Sequence, residues 1–179
     1  FGELVEQRLP QTLQQAVEKD PEAFRCGLYG PDPLLFLPGG GVHAKILHNT
    51  WRENTAPTLQ SMLEWGSAGE KSFAAGYLCH LLLDDFCHLQ IYRWMEEDGL
   101  SHQGLEVGLD FLILMRSGER KFHVPRIEEK KRISELASDV VNPASSLEYR
   151  MGLSSMALLC TQMNKVGKIY RRKMTQEYR

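Results

Sequence analysis

Apolar residues recur at three- and four-residue intervals along most of the chain, and no stretch alternates with the period of two that a strand requires. This pattern predicts helices throughout. The first is expected over Leu4–Lys19. Asp20-Pro21-Glu22 reads as a cap followed by a first-turn proline, opening a helix that ends by Gly27 or Gly30. Gly30-Pro31-Asp32-Pro33 cannot continue it, so Asp32 sits on a stiff turn. After Pro38-Gly39-Gly40-Gly41, His43 begins a helix reaching Asn54, and Pro57 begins another ending near Trp65.

Glu70–Glu97 is the longest apolar-rich stretch and is expected to form the central helix, with Gly66–Gly69 as the turn before it and Gly99 as its stop. Ser101 is a natural cap for a helix running to Met115, with Leu100 and Leu105 placed as a hydrophobic staple. A polar connection over 119–125 leads to a helix over Arg126–Val141, and Asn142-Pro143 breaks it. The last helix is expected over Ala144–Met174, with Leu153, Ala157, Cys160, Asn164 and Lys168 along one line. The fold class is therefore all-α, and 179 residues suit one domain over 1–179 with one sizeable core.

One run breaks the apolar rule. In Gly76-Tyr-Leu-Cys-His-Leu-Leu-Leu-Asp-Asp-Phe-Cys-His88, two imidazoles and a carboxylate, His80, Asp84 and His88, follow one another at four-residue spacing. That spacing puts them on one helix face. Burying an uncompensated ion costs on the order of several kcal/mol. A bound metal is the simplest compensation, because it wants these ligands in these states. His102 and Glu106 repeat the i, i+4 pairing on the next helix, and Asp32 and His43 flank the upstream Pro/Gly-rich loop.

More than one ion is expected. Residues 80 and 88 lie about 12 Å apart along a helix, whereas metal–ligand bonds are about 2 Å. Each histidine can instead lean toward Asp84, whose two oxygens suit a bridge between neighbouring metals. Gly76, one turn before His80, suggests a gap for substrate or a further ligand. His48 falls off the face of His43 and reads as a surface or supporting residue, Asp85 points away from the stripe and reads as a cap, a salt bridge or a contact to a ligand histidine, and His123 reads as exposed in a polar connection. Histidines with carboxylates and no cysteine cluster favour zinc, with manganese and iron left open.

Composition narrows the function classes only slightly. A net charge of −2 gives no global argument for nucleic acid. From Ala144 onward seven Lys/Arg face two glutamates, which reads as a solvated basic face. Cys26, Cys79, Cys87 and Cys160 form no CxxC pair and read as small buried side chains. No apolar run approaches the roughly 20 residues of a membrane span. No signal peptide is visible, which reads as cytoplasmic, although a start at Phe1 rather than Met leaves secretion open.

The ordered segments Gly27-Leu-Tyr-Gly-Pro-Asp-Pro33, Gly41-Val-His43, Gly76 to His80 with Asp84 and His88, and Ser101-His102-Gln-Gly-Leu-Glu106 resemble those of the zinc-dependent phospholipase C family, in particular its short bacterial members. The resemblance covers roughly residues 20–115. It implies the all-helical bundle that this family shares with P1/S1-type nucleases. It also implies two or three zinc ions. Asp32, His43, His80 and Asp84 would hold the first, His88, His102 and Glu106 the second, and Asp84 would reach a third. Asp32 matches the family's general base or water-orienting carboxylate.

Two departures stand out. The step from Asp84 to His88 is four residues, where the secreted phospholipases have six with a Gln-Pro. No histidine precedes His43, so either a ligand lies upstream of Phe1 or the site holds two ions. The implied function is phosphodiester hydrolysis, most like that of phospholipase C, with a P1/S1-like nuclease or a non-catalytic metal-binding protein as alternatives. The implied partners are a phosphate-ester substrate such as a phospholipid, with peripheral membrane contact compatible and no stable nucleic-acid partner. Phe36, Leu37, Trp51, Trp65 and Trp94 are the aromatic and apolar residues available to approach such a substrate.

Overall fold

The computed structural model describes residues 5, 8–39, 41–116, 118, 121–122, 124, 126–142 and 144–177. Among them there are helices and no strands. In chain order the helices are α1 (Gln11–Lys19), α2 (Pro21–Gly27), a 3-10 turn (Asp32–Phe36), α3 (Gly41–Asn49), α4 (Trp51–Asn54), α5 (Ala56–Trp65), α6 (Ala68–Asp98), α7 (His102–Arg116), α8 (Ile127–Leu136) and α9 (Ser146–Glu177). The all-α expectation holds. His123 lies outside the described residues.

α6 is the axis. Ser67 caps it by a reciprocal pair with Glu70, so it starts before the expected Glu70, and Gly99 ends it at φ 66°. α1, α2, α5 and α7 all pack on it. The crossing with α2 is close because two glycines meet there. A side chain on Gly76 would lie 2.1 Å from the Phe24 carbonyl oxygen, and one on Gly27 would lie 2.1 Å from that of Phe73. The gap expected at Gly76 is therefore filled by the backbone of α2, not by substrate.

The main core gathers Leu34, Leu47, Trp51, Leu59, Phe73, Tyr77, Leu81, Ile133, Tyr149 and Leu153, from the 3-10 turn, α3, α4, α5, α6, α8 and α9. Fully buried Phe73 and Tyr77 anchor α6, and burying a phenylalanine side chain stabilises the fold by roughly 1.5–3 kcal/mol. At the other end of the bundle Arg132 of α8 pairs with Asp20 and Glu22 around the start of α2. The one polar residue in the described stripe of α9, Asn164, pairs with both backbone groups of Phe122, at 2.7 and 3.0 Å.

Further element boundaries differ from expectation: the helix expected over Leu4–Lys19 is not continuous, since residues 8–10 are not helical and α1 begins at Gln11 after Pro10. The single helix expected over His43–Asn54 is two, α3 and α4. The Thr50 hydroxyl donates to the Ile46 carbonyl at 2.7 Å, and the Thr50 backbone leaves the helical region at φ −117°, ψ 18°. α8 stops at Leu136 rather than Val141, and 137–140 form turns. Ser101 caps as expected, accepting from the Gly104 amide at 3.1 Å.

Candidate metal centre

Three parts of the chain converge on the middle of α6. Its four-residue stripe presents His80, Asp84 and His88. The 3-10 turn presents Asp32, α3 presents His48, and α7 presents His102 and Glu106. Two groups of donor atoms result, each with its atoms within 4.8 Å of one another: Asp32, His48 and His80, and His88, His102 and Glu106. Asp84 stands between them. Its Oδ2 lies 3.6 Å from His48 Nε2 and its Oδ1 lies 3.3 Å from His88 Nε2.

In the first group His48 Nε2 lies 3.2 Å from Asp32 Oδ1 and 3.3 Å from His80 Nε2, and His80 Nε2 lies 3.6 Å from Asp32 Oδ1. Zinc bonds of 2.0–2.1 Å in a tetrahedron place neighbouring donor atoms roughly 3.3 Å apart. In the second group, Glu106 Oε1 lies 3.4 Å from His88 Nε2 and 2.7 Å from His102 Nε2.

The ring orientations test whether a cation belongs there. His48 Nδ1–H donates to the Ala44 carbonyl at 2.8 Å, and His80 Nδ1–H donates to the Leu28 carbonyl at 3.2 Å. With both Nδ1 atoms committed as donors, each neutral ring presents a lone pair at Nε2. Two Nε2 atoms 3.3 Å apart need a positive charge between or beside them, which a proton on one ring or a bound cation supplies. Backbone carbonyls that fix the tautomer in this way are the usual support of metal-binding histidines. The donor set therefore fits zinc.

Gly30 builds part of this support. It takes φ +51°, and a side chain there would lie 2.1 Å from the His80 ring. The buried Tyr149 hydroxyl donates to the Gly30 carbonyl at 2.6 Å, tying α9 to the loop behind His80. On the other side, Tyr92 stacks on His88 with centroids 5.5 Å apart and meets His102 edge-on at 5.6 Å.

The two carboxylates of α6 and the 3-10 turn are shifted in opposite directions. Burial pushes the Asp84 carboxyl up, and the nearby histidines only partly oppose this. Burial also pushes Asp32 up, but the His48 hydrogen bond and the charges of His80 and His48 outweigh it and hold Asp32 below the usual carboxylate range. Water still reaches Asp32, whose side chain is 42% exposed. Burial lowers His48, and the hydrogen bond and charge of Asp32 more than reverse that, so His48 is raised. Burial, then the Glu22 charge, pushes the Cys26 thiol up to about 12, so this cysteine is an inert core residue.

A family model for zinc-dependent phospholipase C matches residues 1–155. The chain belongs to the zinc-dependent phospholipase C family. No curated protein and no solved structure matches it. Six of the seven residues expected from the sequence, Asp32, His80, Asp84, His88, His102 and Glu106, come together in this centre.

The seventh expected residue, His43, is not in either group of donor atoms, whereas His48, which was not expected, is. Five residues at about 100° each put His43 roughly 140° around α3 from His48. His43 instead lies near Glu148 at the start of α9. That carboxyl is lowered mainly by hydrogen bonds from Ser145, with a smaller pull from His43. The sequence did carry a signal for His48. Ala44, Leu47 and Trp51 are buried and mark the inward face, and His48 lies on it. Tyr92 was also missed, although it follows His88 by four residues. Of the apolar residues expected near substrate, Trp51 is buried and Phe36 and Leu37 pack on the core, while Trp65 lies on the surface beside Thr58 and Asp139.

Proposed function

We propose that this protein is a phosphodiester hydrolase of the phospholipase C type, with two zinc sites bridged by Asp84. The observation that supports it most is the two-sided placement of Asp84, one oxygen toward each group of histidines, in a chain of this family. Asp32, His48, His80 and Asp84 would hold one ion, and Asp84, His88, His102 and Glu106 would hold the other. Bound zinc supplies Lewis acidity toward phosphate oxygens and makes water a competent nucleophile near neutral pH.

The protein's own groups then have distinct tasks. His48 and His80, locked by backbone carbonyls, keep their Nε2 lone pairs inward. Asp32 turns Oδ1 toward both rings, and its part-exposed carboxylate would orient a water. Its lowered pKa keeps it ionised at neutral pH. A carboxylate this weak as a base orients water and accepts its proton late rather than removing it outright. The half-exposed Tyr92 forms an aromatic wall beside the second set.

Tyr92 also favours a second reading. Its ring is placed where a nucleobase could stack, as a nuclease would require. The deciding experiment measures hydrolysis of phosphatidylcholine, single-stranded DNA and a generic bis-phosphodiester, each with and without chelator. The proposal predicts chelator-sensitive release of phosphocholine. Turnover of DNA alone selects the nuclease, and metal-dependent turnover of none refutes both.

A further inference from the structure

We propose that Asp85 is a positioning residue for the first metal site, holding His48 in place through Trp51 and Arg52. The inference rests on the metal-centre reading and not on the choice of substrate.

His48 comes from α3, whereas its partners His80 and Asp84 come from α6. α3 is short, with nine residues, and Thr50 breaks it two residues after His48. Something must hold its C-terminal end against α6. The structure shows one such link at the right place. Asp85, the residue after Asp84, accepts from the Trp51 indole N–H at 3.2 Å and from the Arg52 guanidinium at 2.5 Å, both through Oδ2. The Arg52 guanidinium lies over the Trp51 ring, 4.8 Å from its centroid, so the two donors reach Asp85 as one unit. Trp51 is 8% exposed and belongs to the main core.

The same turn of α6 therefore touches α3 and α4 twice. Asp84 meets His48, and Asp85 meets the pair three and four residues further on. Arg52 is 68% exposed, and an ion pair in that position adds little to stability. Its consequence is geometric. Metal ligands must be held within about 0.5 Å of their productive positions, and a helix free to slip by more than that loses the ion before it loses the fold.

The test is zinc titration against a competing chelator, in two resolved steps, together with the visible spectrum of the cobalt-substituted protein and melting of the metal-free protein. The variants are Asp85→Ala and Trp51→Phe, with Arg132→Ala as a control in an ion pair at the other end of the bundle. Asp85→Ala and Trp51→Phe should each weaken one zinc step by about 10–100-fold, leave the other step unchanged and alter the cobalt spectrum. Arg132→Ala should leave both steps unmoved. If Asp85→Ala does not fold, Trp51→Phe and Arg52→Gln decide by the same criterion. Unchanged affinity at both steps in the folded variants overturns the proposal, as does an equal loss in Arg132→Ala. A wild-type protein that binds no zinc overturns the metal centre itself, and the inference with it.

Discussion

Replacing Asp84 by Asn should move the metal-free and zinc-loaded proteins in opposite directions. In the metal-free protein burial raises the Asp84 carboxyl. A carboxyl raised on folding opposes the fold once pH exceeds its unfolded value, near 3.9. At pH 7 Asp84→Asn removes that penalty, so the metal-free protein should melt at the same temperature or higher. In the zinc-loaded protein the same change removes the charge that lies 3.6 Å from His48 Nε2 and 3.3 Å from His88 Nε2. One unit of charge at about 4 Å and an effective dielectric of about 20 is worth about 4 kcal/mol. That corresponds to roughly a thousandfold in affinity. Asparagine keeps one carbonyl oxygen, so one ion should remain, more weakly bound, and the other should be lost. Melting with and without zinc, beside metal content per chain, reads both effects. A variant that melts lower without metal and still binds two ions tightly would refute the shared-ligand argument.

Three further outcomes follow from the same geometry. His48→Ala should weaken the first zinc site by at least the roughly 10–100-fold that loss of a supporting contact costs, while His43→Ala leaves zinc titration unchanged; the reverse result would restore His43 as the ligand. Gly30→Ala should cost about 1–2 kcal/mol in backbone strain and push the His80 ring aside, lowering both melting temperature and zinc affinity; a variant with wild-type values of both would contradict the packing described. Zinc affinity should fall as pH falls, and the fall should begin above the ordinary histidine value of about 6.5, because Asp32 raises His48 and the metal must displace that proton; affinity constant down to pH 5.5 or so would show that His48 is not a ligand.

The parts of the centre carried by one regular helix were legible in the sequence. His80, Asp84 and His88 needed only the period of α6, and His102 with Glu106 needed only that of α7. Asp32 was legible because prolines on both sides fix its turn. His48 was legible only from the apolar positions around it, because it has no carboxylate partner at helical spacing on its own helix. Gly41-Val-His43 lies on one face of α3, whereas buried Ala44, Leu47 and Trp51 mark the face that carries His48. Gly76 was misread for a related reason. A missing side chain on a helix marks either an opening or a close crossing, and only the position of α2 decides between them. The link from Asp85 to Trp51 and Arg52 joins residues more than 30 positions apart, beyond the reach of any spacing argument.

The proposed chemistry depends on two zinc ions sharing Asp84. Anomalous diffraction at the zinc edge from crystals of the zinc-loaded protein tests it directly. Two peaks are expected, one among Asp32, His48, His80 and Asp84, the other among Asp84, His88, His102 and Glu106. A single peak, or one bound through His43, would contradict it.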